Sequence, residues 1–389
     1  MGLANMTAPL SANHLTGEPL RATGKHIGIA GAGLMGRLLA WQLLRCGHRV
    51  GLFDRDKKNG EASAGRVAAA MLAPYSEALG RERAIFDWGL ESITLWPRLL
   101  AQLEHDSGVQ VSFQHRGSVV VAHQQDRSSL RHFNQRLTTQ LPDRLDAVEY
   151  CDQQRLCQLE PELADTFTDA IFLKDEGCLD NWALLDALAI AIEKLGGQWH
   201  EDAEVTQVNS AVIVNIDETH TFDTVIDARG FGAKAQTPGL RGVRGEVLWV
   251  RAPDVRLSRP VRLMHPRYQL YIAPKPDSIY VIGATEIESE SVAPITVRSS
   301  LELLSALYSV HTSFAEAHII RAFAQCRPAF MDNLPRIECV DDCIKVNGLY
   351  RHGYLLAPVV LQATLSALQG NFHHPLVNTS DQAARVAEK

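Results

Sequence analysis

The sequence has no CxxC cysteine pair, no long apolar run and no excess of basic residues. Its seven cysteines are scattered over 389 residues, which argues against a disulfide framework and favours reduced thiols. Cys339 and Cys343 are spaced C-x3-C, but no second pair or histidine cluster completes a zinc site, so we expect no metal. A net charge of −7 gives no basic face for a nucleic acid.

Residues 1–24 lack the apolar stretch of about 7–15 residues that a secretory signal requires. The apolar run Leu355–Val360 is far shorter than the roughly 18 residues that span a bilayer. We therefore expect a cytoplasmic protein without a membrane segment, with a disordered extension at 1–24 and a flexible tail at 371–389. The rest of the chain is too long for one ordinary core, which predicts two domains.

The first structured unit is a strand–helix–strand pattern. An apolar run at His26–Ala30 predicts a strand, and apolar residues at helical spacing predict a helix over Leu34–Cys46. Arg49–Phe53 predicts a second strand. Such a short sequence of three elements suits a right-handed βαβ unit with parallel strands.

The turn between the first strand and the helix carries the glycine pattern GxGxxG. Gly31 permits a tight turn, Gly33 lets the backbone approach a pyrophosphate, and Gly36 allows close packing of helix and strand. The helix N-terminus attracts phosphate, and Asp54 ends the second strand, where it can accept hydrogen bonds from ribose hydroxyls. The predicted dinucleotide site comprises Gly31, Ala32, Gly33, Leu34, Met35, Gly36, Asp54 and Arg55.

The motif alone suits either NAD or FAD. Thr224–Ala228 predicts an apolar strand that returns to the nucleotide sheet late in the chain, and a cofactor domain built from distant segments favours FAD. Other predicted strands are Gly117–Ala122, Ala203–Val208, Ala211–Ile216, Glu246–Arg251, Leu270–Ala273, Ile279–Gly283 and Cys343–Asn347, with a turn at Pro274–Asp277. Other predicted helices are Trp182–Leu195, Val297–Val310 and Val359–Leu368.

Five further segments, taken in order, match the pattern of one family. They are Arg66–Leu72, Gly242–Glu246, the hairpin of Leu270–Pro274 with Val281–Thr285, Cys326–Pro328, and Asn347–Pro358. On these segments the chain resembles the D-amino-acid oxidase superfamily of flavoenzymes, and most closely its glycine oxidase branch from thiamine biosynthesis. The resemblance extends from about His26 to Leu368.

The resemblance implies a fold of the α/β plus α+β class, in which a Rossmann-like FAD-binding domain carries an antiparallel-sheet substrate domain. The implied FAD-binding domain is discontinuous, at 25–110, 150–240 and 325–370. The implied substrate-binding domain takes 111–149 and 241–324.

The resemblance also implies the residues that act on the substrate. Arg327 would clamp the substrate carboxylate through two parallel charge-assisted hydrogen bonds, although an interdomain salt bridge is the alternative. Tyr271 would assist that carboxylate, unless it is a half-buried strand residue and Tyr268 takes its place. Arg351 would lie beside the flavin and reach the substrate, and the helix from Val359 would direct its N-terminus at the flavin.

Glu286 could face an ammonium group, but a solvated loop carboxylate is the favoured interpretation. His352 is expected to be structural, because hydride transfer from a neutral amine needs no protein base at the carbon. The remaining expected FAD contacts are Arg66, Ala68, Ala69, Met71, Val205, Ala228, Arg229, Gly230, Arg351, His352, Gly353, Tyr354, Leu355 and Leu356. No cysteine stands in an obvious attachment context, so we expect non-covalent FAD.

The implied activity is oxidation of glycine or a similarly small amino acid or amine. The product imine would give glyoxylate and ammonia or feed thiamine thiazole synthesis, and oxygen would be reduced to hydrogen peroxide. Three alternatives stay open: an oxidase or dehydrogenase of another secondary amine or D-amino acid, a flavoprotein maturation partner that modifies another protein, and an NAD-linked dehydrogenase. A homo-oligomer or a protein partner also stays open.

Overall fold

The computed structural model describes residues 24–78, 83–216, 218–265 and 269–379. The predicted N-terminal extension lies outside these residues except for Gly24, and so does Tyr268, the rival of Tyr271.

The strands are β1 (His26–Ala30), β2 (Arg49–Phe53), β3 (Met71–Leu72), β4 (Phe113–Gln114), β5 (Ser118–Val121), β6 (Val148–Asp152), β7 (Asp169–Leu173), β8 (Gly177–Leu179), β9 (Gln198–His200), β10 (Val205–Asn209), β11 (Val212–Asn215), β12 (Thr219–Thr221), β13 (Thr224–Asp227), β14 (Arg241–Arg251), β15 (Val261–Met264), β16 (Gln269–Lys275), β17 (Ile279–Gly283), β18 (His318–Ala329), β19 (Arg336–Val340), β20 (Cys343–Asn347) and β21 (Val377–Thr379). The α-helices are α1 (Leu34–Arg45), α2 (Ala64–Val67), α3 (Pro74–Ala78), α4 (Arg83–Ser107), α5 (Arg127–Gln140), α6 (Gln153–Leu159), α7 (Asn181–Lys194), α8 (Val297–Val310) and α9 (Gly353–Leu368).

The nucleotide sheet has the strand order β21-β19-β20-β13-β1-β2-β9 in the described part of the chain. β1 pairs in parallel with both β2 and β13, so that Ile29 lies between Leu52 and Ile226. The strand at Thr224 therefore returns to the first βαβ unit, as the sequence predicts. Helices α1, α4, α7 and α9 pack their apolar residues into the largest hydrophobic cluster, which includes Trp41 and Trp96.

The second large sheet has the order β18-β14-β17-β16-β15-β5-β7-β6, and only β15 and β5 pair in parallel among the described strands. Its central register places Gly283 of β17 opposite both Tyr271 of β16 and Val247 of β14. β14 also pairs with β18, and this pairing places Val243 of β14 opposite Arg327 of β18. One face packs on α8, and the other contacts the segment around Ala69. The sheet therefore brings Tyr271 and Arg327 toward the nucleotide-binding half.

Two predicted boundaries are wrong. The segment from residue 150 does not join the nucleotide sheet directly, because β6 and β7 pair with each other and with β5 in the second sheet. The tail predicted from residue 371 contains β21, whose Val377 is buried and pairs with Ile337 of β19. Pairing with β19 removes the apolar side chains of Leu376 and Val377 from water, which favours an ordered strand here. Residues 380–389 lie outside the described part.

Two local predictions are also corrected. Helix α9 begins at Gly353, six residues before the predicted start at Val359. Pro358 lies inside this helix and has no N–H to donate to the Tyr354 carbonyl. Trp96 Nε1 donates to that carbonyl instead, at 3.0 Å, so it is not left unpaired. The predicted turn at Pro274–Asp277 lies later, since β16 continues to Lys275.

Candidate active site

A cavity of about 1310 Å³ connects the glycine-rich loop to the second sheet. Most predicted site residues line it: Gly31, Gly33, Leu34, Met35, Asp54, Arg55, Ala68, Ala69, Met71, Ala228, Arg229, Gly230, Tyr271, Arg327, Arg351, His352, Gly353, Tyr354 and Leu355. Five predicted residues do not line it: Ala32, Gly36, Arg66, Val205 and Leu356.

The glycine-rich loop requires its glycines for different reasons. Gly31 has a φ of +95°, and a Cβ there would stand 2.6 Å from the Ala228 carbonyl oxygen. A Cβ on Gly36 would stand 1.8 Å from the Gly31 carbonyl oxygen, so α1 could not pack on the turn. A Cβ on Gly33 would meet nothing within 4 Å, because Gly33 borders the open cavity.

Asp54 organises the loop as well as lining the cavity. Its carboxylate accepts hydrogen bonds from the backbone N–H groups of Ala32 and, at 2.8 Å, of Asp56. Ala32 thus contributes to the loop through its backbone rather than by lining the cavity. The predicted ribose contact of Asp54 stays a prediction.

Arg327 and Tyr271 lie at the other end of the cavity, where two glycines make room for them. A Cβ on Gly245 would stand 2.3 Å from Cζ of Arg327, and a Cβ on Gly283 would stand 2.7 Å from the Tyr271 hydroxyl. Arg327 Nη1 donates to the Thr285 carbonyl at 3.1 Å. Burial lowers the pKa of the Arg327 guanidinium and raises the pKa of the Tyr271 hydroxyl.

Arg327 forms no ion pair within the described residues, so the alternative of an interdomain salt bridge is not observed there. A half-buried guanidinium whose desolvation lowers its pKa is costly to keep charged unless hydrogen bonds and an anion compensate it. The arrangement therefore suits an anionic ligand that enters from the cavity.

Arg351 is held differently. Its Nη2 lies 2.8 Å from Oε1 of Glu77, and its Nη1 lies 2.8 Å from Oε2 of Glu286. Burial disfavours the charge of Arg351, but these two carboxylates outweigh that effect and raise its pKa. Glu286 also accepts from the Tyr350 hydroxyl. Its side chain is 46% exposed in a loop, so it is the solvated loop carboxylate that the sequence favours, and it is also a partner of Arg351, which the sequence does not indicate.

The first turn of α9 lines the cavity with Gly353, Tyr354 and Leu355. His352 precedes it as the N-cap and is 1% exposed, with Nδ1 3.5 Å from Oε2 of Glu77. His352 is thus buried at the helix terminus beside Glu77, and its expected structural role stays a prediction.

Sequence reasoning missed three charged residues here. Glu77 in α3 pairs with Arg351, and Arg262 in β15 is nearly buried and lines the cavity. Glu176 lies behind them, fully buried, and accepts hydrogen bonds from the backbone N–H and hydroxyl of Ser76. Glu77 follows Met71 by six residues and could have been suspected, but no local pattern distinguishes Glu176 or Arg262.

A family model described as FAD dependent oxidoreductase matches residues 26–364. The chain belongs to this family. The match covers nearly all of the part that carries the cavity, and it confirms the resemblance, the fold class and FAD as the cofactor.

One curated protein and two solved structures illustrate what the chain is similar to. A putative thiamine biosynthesis oxidoreductase ThiO from Rhizobium etli is 39% identical over 85% of this chain and 93% of that protein. The crystal structure of glycine oxidase from Geobacillus kaustophilus has a TM-score of 0.78 at 23% identity, covering 89% of this chain and 95% of that one. The structure of iminodiacetate oxidase from Chelativorans sp. BNC1 has a TM-score of 0.77 at 21% identity, covering 91% and 99%.

The donor groups of the cavity fit FAD. Gly33 caps α1 without a side-chain hydrogen bond, and no acidic residue stands in the first turn, so the N–H groups and the positive end of the helix are open to a pyrophosphate. Gly33 also leaves space for that approach. We expect the loop to hold the FAD phosphates, and the segment Ala68–Met71 with the first turn of α9 to hold its ring.

Two expected FAD contacts have other roles in this structure. Arg66 is 1% exposed, ion-paired with Asp186, and donates to the Trp182 carbonyl at 3.3 Å, so it fixes α2 on α7. Leu356 is fully buried in the core. Both lie behind the cavity wall, because their side chains point into packed helices.

Val205 and Arg229 form a pair at the cavity edge. Arg229 Nη1 donates to the Val205 carbonyl at 3.0 Å, and its Nη2 lies 2.7 Å from Oδ2 of Asp227. Arg229 borders the cavity while holding these partners. Any contact of Val205 with FAD stays a prediction.

Neither a membrane-spanning helix nor a metal cluster is found in the part of the chain that the structure describes. No described helix is long and apolar enough to cross a bilayer. No group of three or more His, Cys, Asp or Glu residues there has an arrangement that could hold a metal ion.

Proposed function

We propose that this chain catalyses the FAD-dependent oxidation of a small amino acid or amine with a single carboxylate, of which glycine is the simplest. For glycine the balanced reaction consumes water and oxygen and yields glyoxylate, ammonia and hydrogen peroxide. Bound FAD supplies the acceptor for the hydride of the substrate α-carbon. The names of the relatives, a thiamine biosynthesis oxidoreductase and glycine oxidases, support this substrate class.

The observation that carries the proposal is the position of Arg327. Its guanidinium lies beside Tyr271 in the cavity that begins at the glycine-rich loop, and it has no carboxylate partner within the described residues. A planar guanidinium can bind a carboxylate through two parallel hydrogen bonds. With the carboxylate fixed in this way, the α-carbon is oriented toward the flavin, and orientation supplies much of the rate.

The charges around Arg327 limit the substrate. Arg351 is neutralised by Glu77 and Glu286, so it offers no second site for a carboxylate. A second carboxylate on the substrate would meet the negative charge of Glu286 instead. The site therefore favours a monocarboxylate such as glycine or sarcosine over a dicarboxylate.

The Tyr271 hydroxyl is the second group that can bind the substrate carboxylate. Burial raises its pKa, so it remains a hydrogen-bond donor at neutral pH. We infer that it donates to the same carboxylate as Arg327. The substrate amine reacts in its neutral form, and no protein base at the α-carbon is needed.

The imine product gives the proposed reaction a place in biosynthesis. An imine made from glycine either hydrolyses to glyoxylate or reacts further, and the similarity to ThiO supports its use in thiazole formation for thiamine. Peroxide would form at every turnover that oxygen completes, whereas glyoxylate and ammonia would accumulate only when the imine is not consumed.

The experiment is anaerobic mixing of the purified flavoprotein with glycine, sarcosine, D-alanine, D-proline and iminodiacetate, followed by flavin absorbance. We expect glycine and sarcosine to bleach the flavin and iminodiacetate to do so far more slowly. Admission of oxygen should restore the colour and release one peroxide per turnover. A flavin that none of the amines reduces would contradict the proposal and favour a role in modifying another protein.

A further inference from the structure

The segment from Gly65 to Ala70 has an unusual set of hydrogen bonds on its carbonyl side. The Asn181 amide nitrogen donates to the carbonyls of Gly65, Arg66 and Ala68 at 3.0, 3.0 and 2.9 Å. Asn181 is fully buried, and these three contacts fix which side of its amide faces the segment.

Lys275 continues this arrangement. Its ammonium donates to the Ala69 carbonyl at 2.6 Å and to the Leu179 carbonyl at 2.5 Å. Lys275 forms no ion pair within the described residues, and the packing around it lowers its pKa. The amino group of Lys275 is therefore held by two neutral carbonyls, which is a demanding use of a lysine.

The opposite side of the same peptides is open. In a trans peptide the N–H points away from the C=O, so the carbonyls held by Asn181 and Lys275 turn the N–H groups of Ala69 and Ala70 the other way. Neither N–H donates to an acceptor within the described residues. Both alanines line the cavity, and Ala70 has a φ of +51°.

We infer that Lys275 and Asn181 are positioning residues that present the N–H groups of Ala69 and Ala70 to the flavin ring. Backbone N–H donors directed at the ring stabilise the electron density that a flavin gains on reduction.

Lys275 lies on the same strand as Tyr271. Tyr271 and Lys275 are four residues apart on β16, so both point to the same face of the sheet. Lys275 thus connects the strand of the substrate-binding tyrosine to the segment of Ala69. A change at Lys275 alters the flavin environment while the contacts of Arg327 stay intact.

The test uses sulfite, which binds to oxidised flavins in proportion to the stabilisation of negative charge on the ring. The holoenzyme, Lys275→Met and Lys275→Arg are titrated with sulfite, and the flavin midpoint potential is measured on each. We expect Lys275→Met to bind sulfite at least about tenfold more weakly, because the peptide N–H groups are no longer held toward the ring and complete removal of such a donor costs about 10²–10³-fold in kcat, and to have a more negative potential. Lys275→Arg should stay close to the wild type, because a guanidinium can still donate to both carbonyls.

Lys194→Met is the matched control, because Lys194 also donates to a backbone carbonyl, that of Ser107 at 2.8 Å, but Ser107 does not line the cavity, whereas Ala69 does. It should leave sulfite affinity and potential unchanged. If Lys275→Met does not retain FAD, Lys275→Gln, which keeps one donor, is measured and should be intermediate. Wild-type sulfite affinity in a folded Lys275→Met or Lys275→Gln would overturn the inference. Since sulfite replaces the substrate, this outcome is independent of the substrate proposed above.

Discussion

The guanidinium of Arg327 lies against Gly245, where a Cβ atom would stand 2.3 Å from its Cζ. The two residues belong to neighbouring strands, with Arg327 paired to Val243. Gly245 therefore provides the space in which the proposed carboxylate clamp lies.

Gly245→Ala should displace the clamp and spare the cofactor. We expect the KM for glycine to rise at least about tenfold, since a charge-assisted hydrogen bond contributes roughly 1.5–3 kcal/mol, with FAD content unchanged. Steady-state kinetics measure the change. In Arg327→Ala, the further change Gly245→Ala should cost little more, because the clamp is already absent. Additive losses would contradict this account.

Glu286→Gln should widen the substrate range. Removing one of the two carboxylates on Arg351 leaves that guanidinium paired with Glu77 alone and removes the negative charge that repels a second substrate carboxylate. We expect kcat/KM for iminodiacetate to rise at least about fivefold relative to sarcosine, a change of about 1 kcal/mol.

Glu288→Gln is the control for this substitution. Glu288 lies two residues after Glu286, is ion-paired with Arg241 and is more exposed than Glu286. It should leave the ratio of the two substrates unchanged. An unchanged ratio in Glu286→Gln as well would show that this carboxylate does not set the specificity.

Gly33→Ala and Gly36→Ala should fail in different ways. A Cβ on Gly33 meets nothing within 4 Å, so the apoprotein should keep its stability while FAD binds at least about tenfold more weakly. A Cβ on Gly36 collides with the Gly31 carbonyl, so the apoprotein itself should be destabilised by more than about 2 kcal/mol. Thermal unfolding and FAD titration of both variants separate the two effects. Wild-type FAD affinity in Gly33→Ala would show that the phosphates lie elsewhere.

Glu176 should make stability depend on pH. Burial raises the pKa of Glu176 from 4.5 to about 7. Between these two values the folded chain binds more protons than the unfolded chain, so the free energy of unfolding falls as the pH rises through 7, by at most roughly 3 kcal/mol. Denaturant unfolding at pH 5 and pH 8 measures this fall. In Glu176→Gln we expect a smaller fall, and an equal fall would assign the pH dependence to other groups.

The sequence predicts much of the nucleotide-binding half because its signals are local. The strand at His26–Ala30, the glycine pattern and the helix from Leu34 follow one another directly, and the structure has them at those positions. The return strand at Thr224 was also predictable, because it is a continuous apolar run.

Long-range contacts explain the failures. Glu77 and Glu286 approach Arg351 from distant parts of the chain, and nothing near Arg351 indicates that its charge is already neutralised. The start of α9 was misplaced because Pro358 suggests a helix boundary, whereas Trp96 compensates for the missing hydrogen bond. β6 and β7 belong to the second sheet because they pair with each other and β7 pairs with β5, and no local sequence pattern indicates this pairing.

The most direct test of the central claim is an anaerobic single turnover with glycine in wild type, Arg327→Ala and Arg321→Ala. Arg321 lies on the same strand, exposed and ion-paired with Glu61, and serves as the control. Wild type and Arg321→Ala should reduce one FAD per glyoxylate formed, whereas Arg327→Ala should keep its FAD and need at least about 30-fold more glycine, as expected for a lost interaction of about 2 kcal/mol. An Arg327→Ala enzyme with unchanged glycine dependence, or wild-type FAD that stays oxidised, would contradict the account.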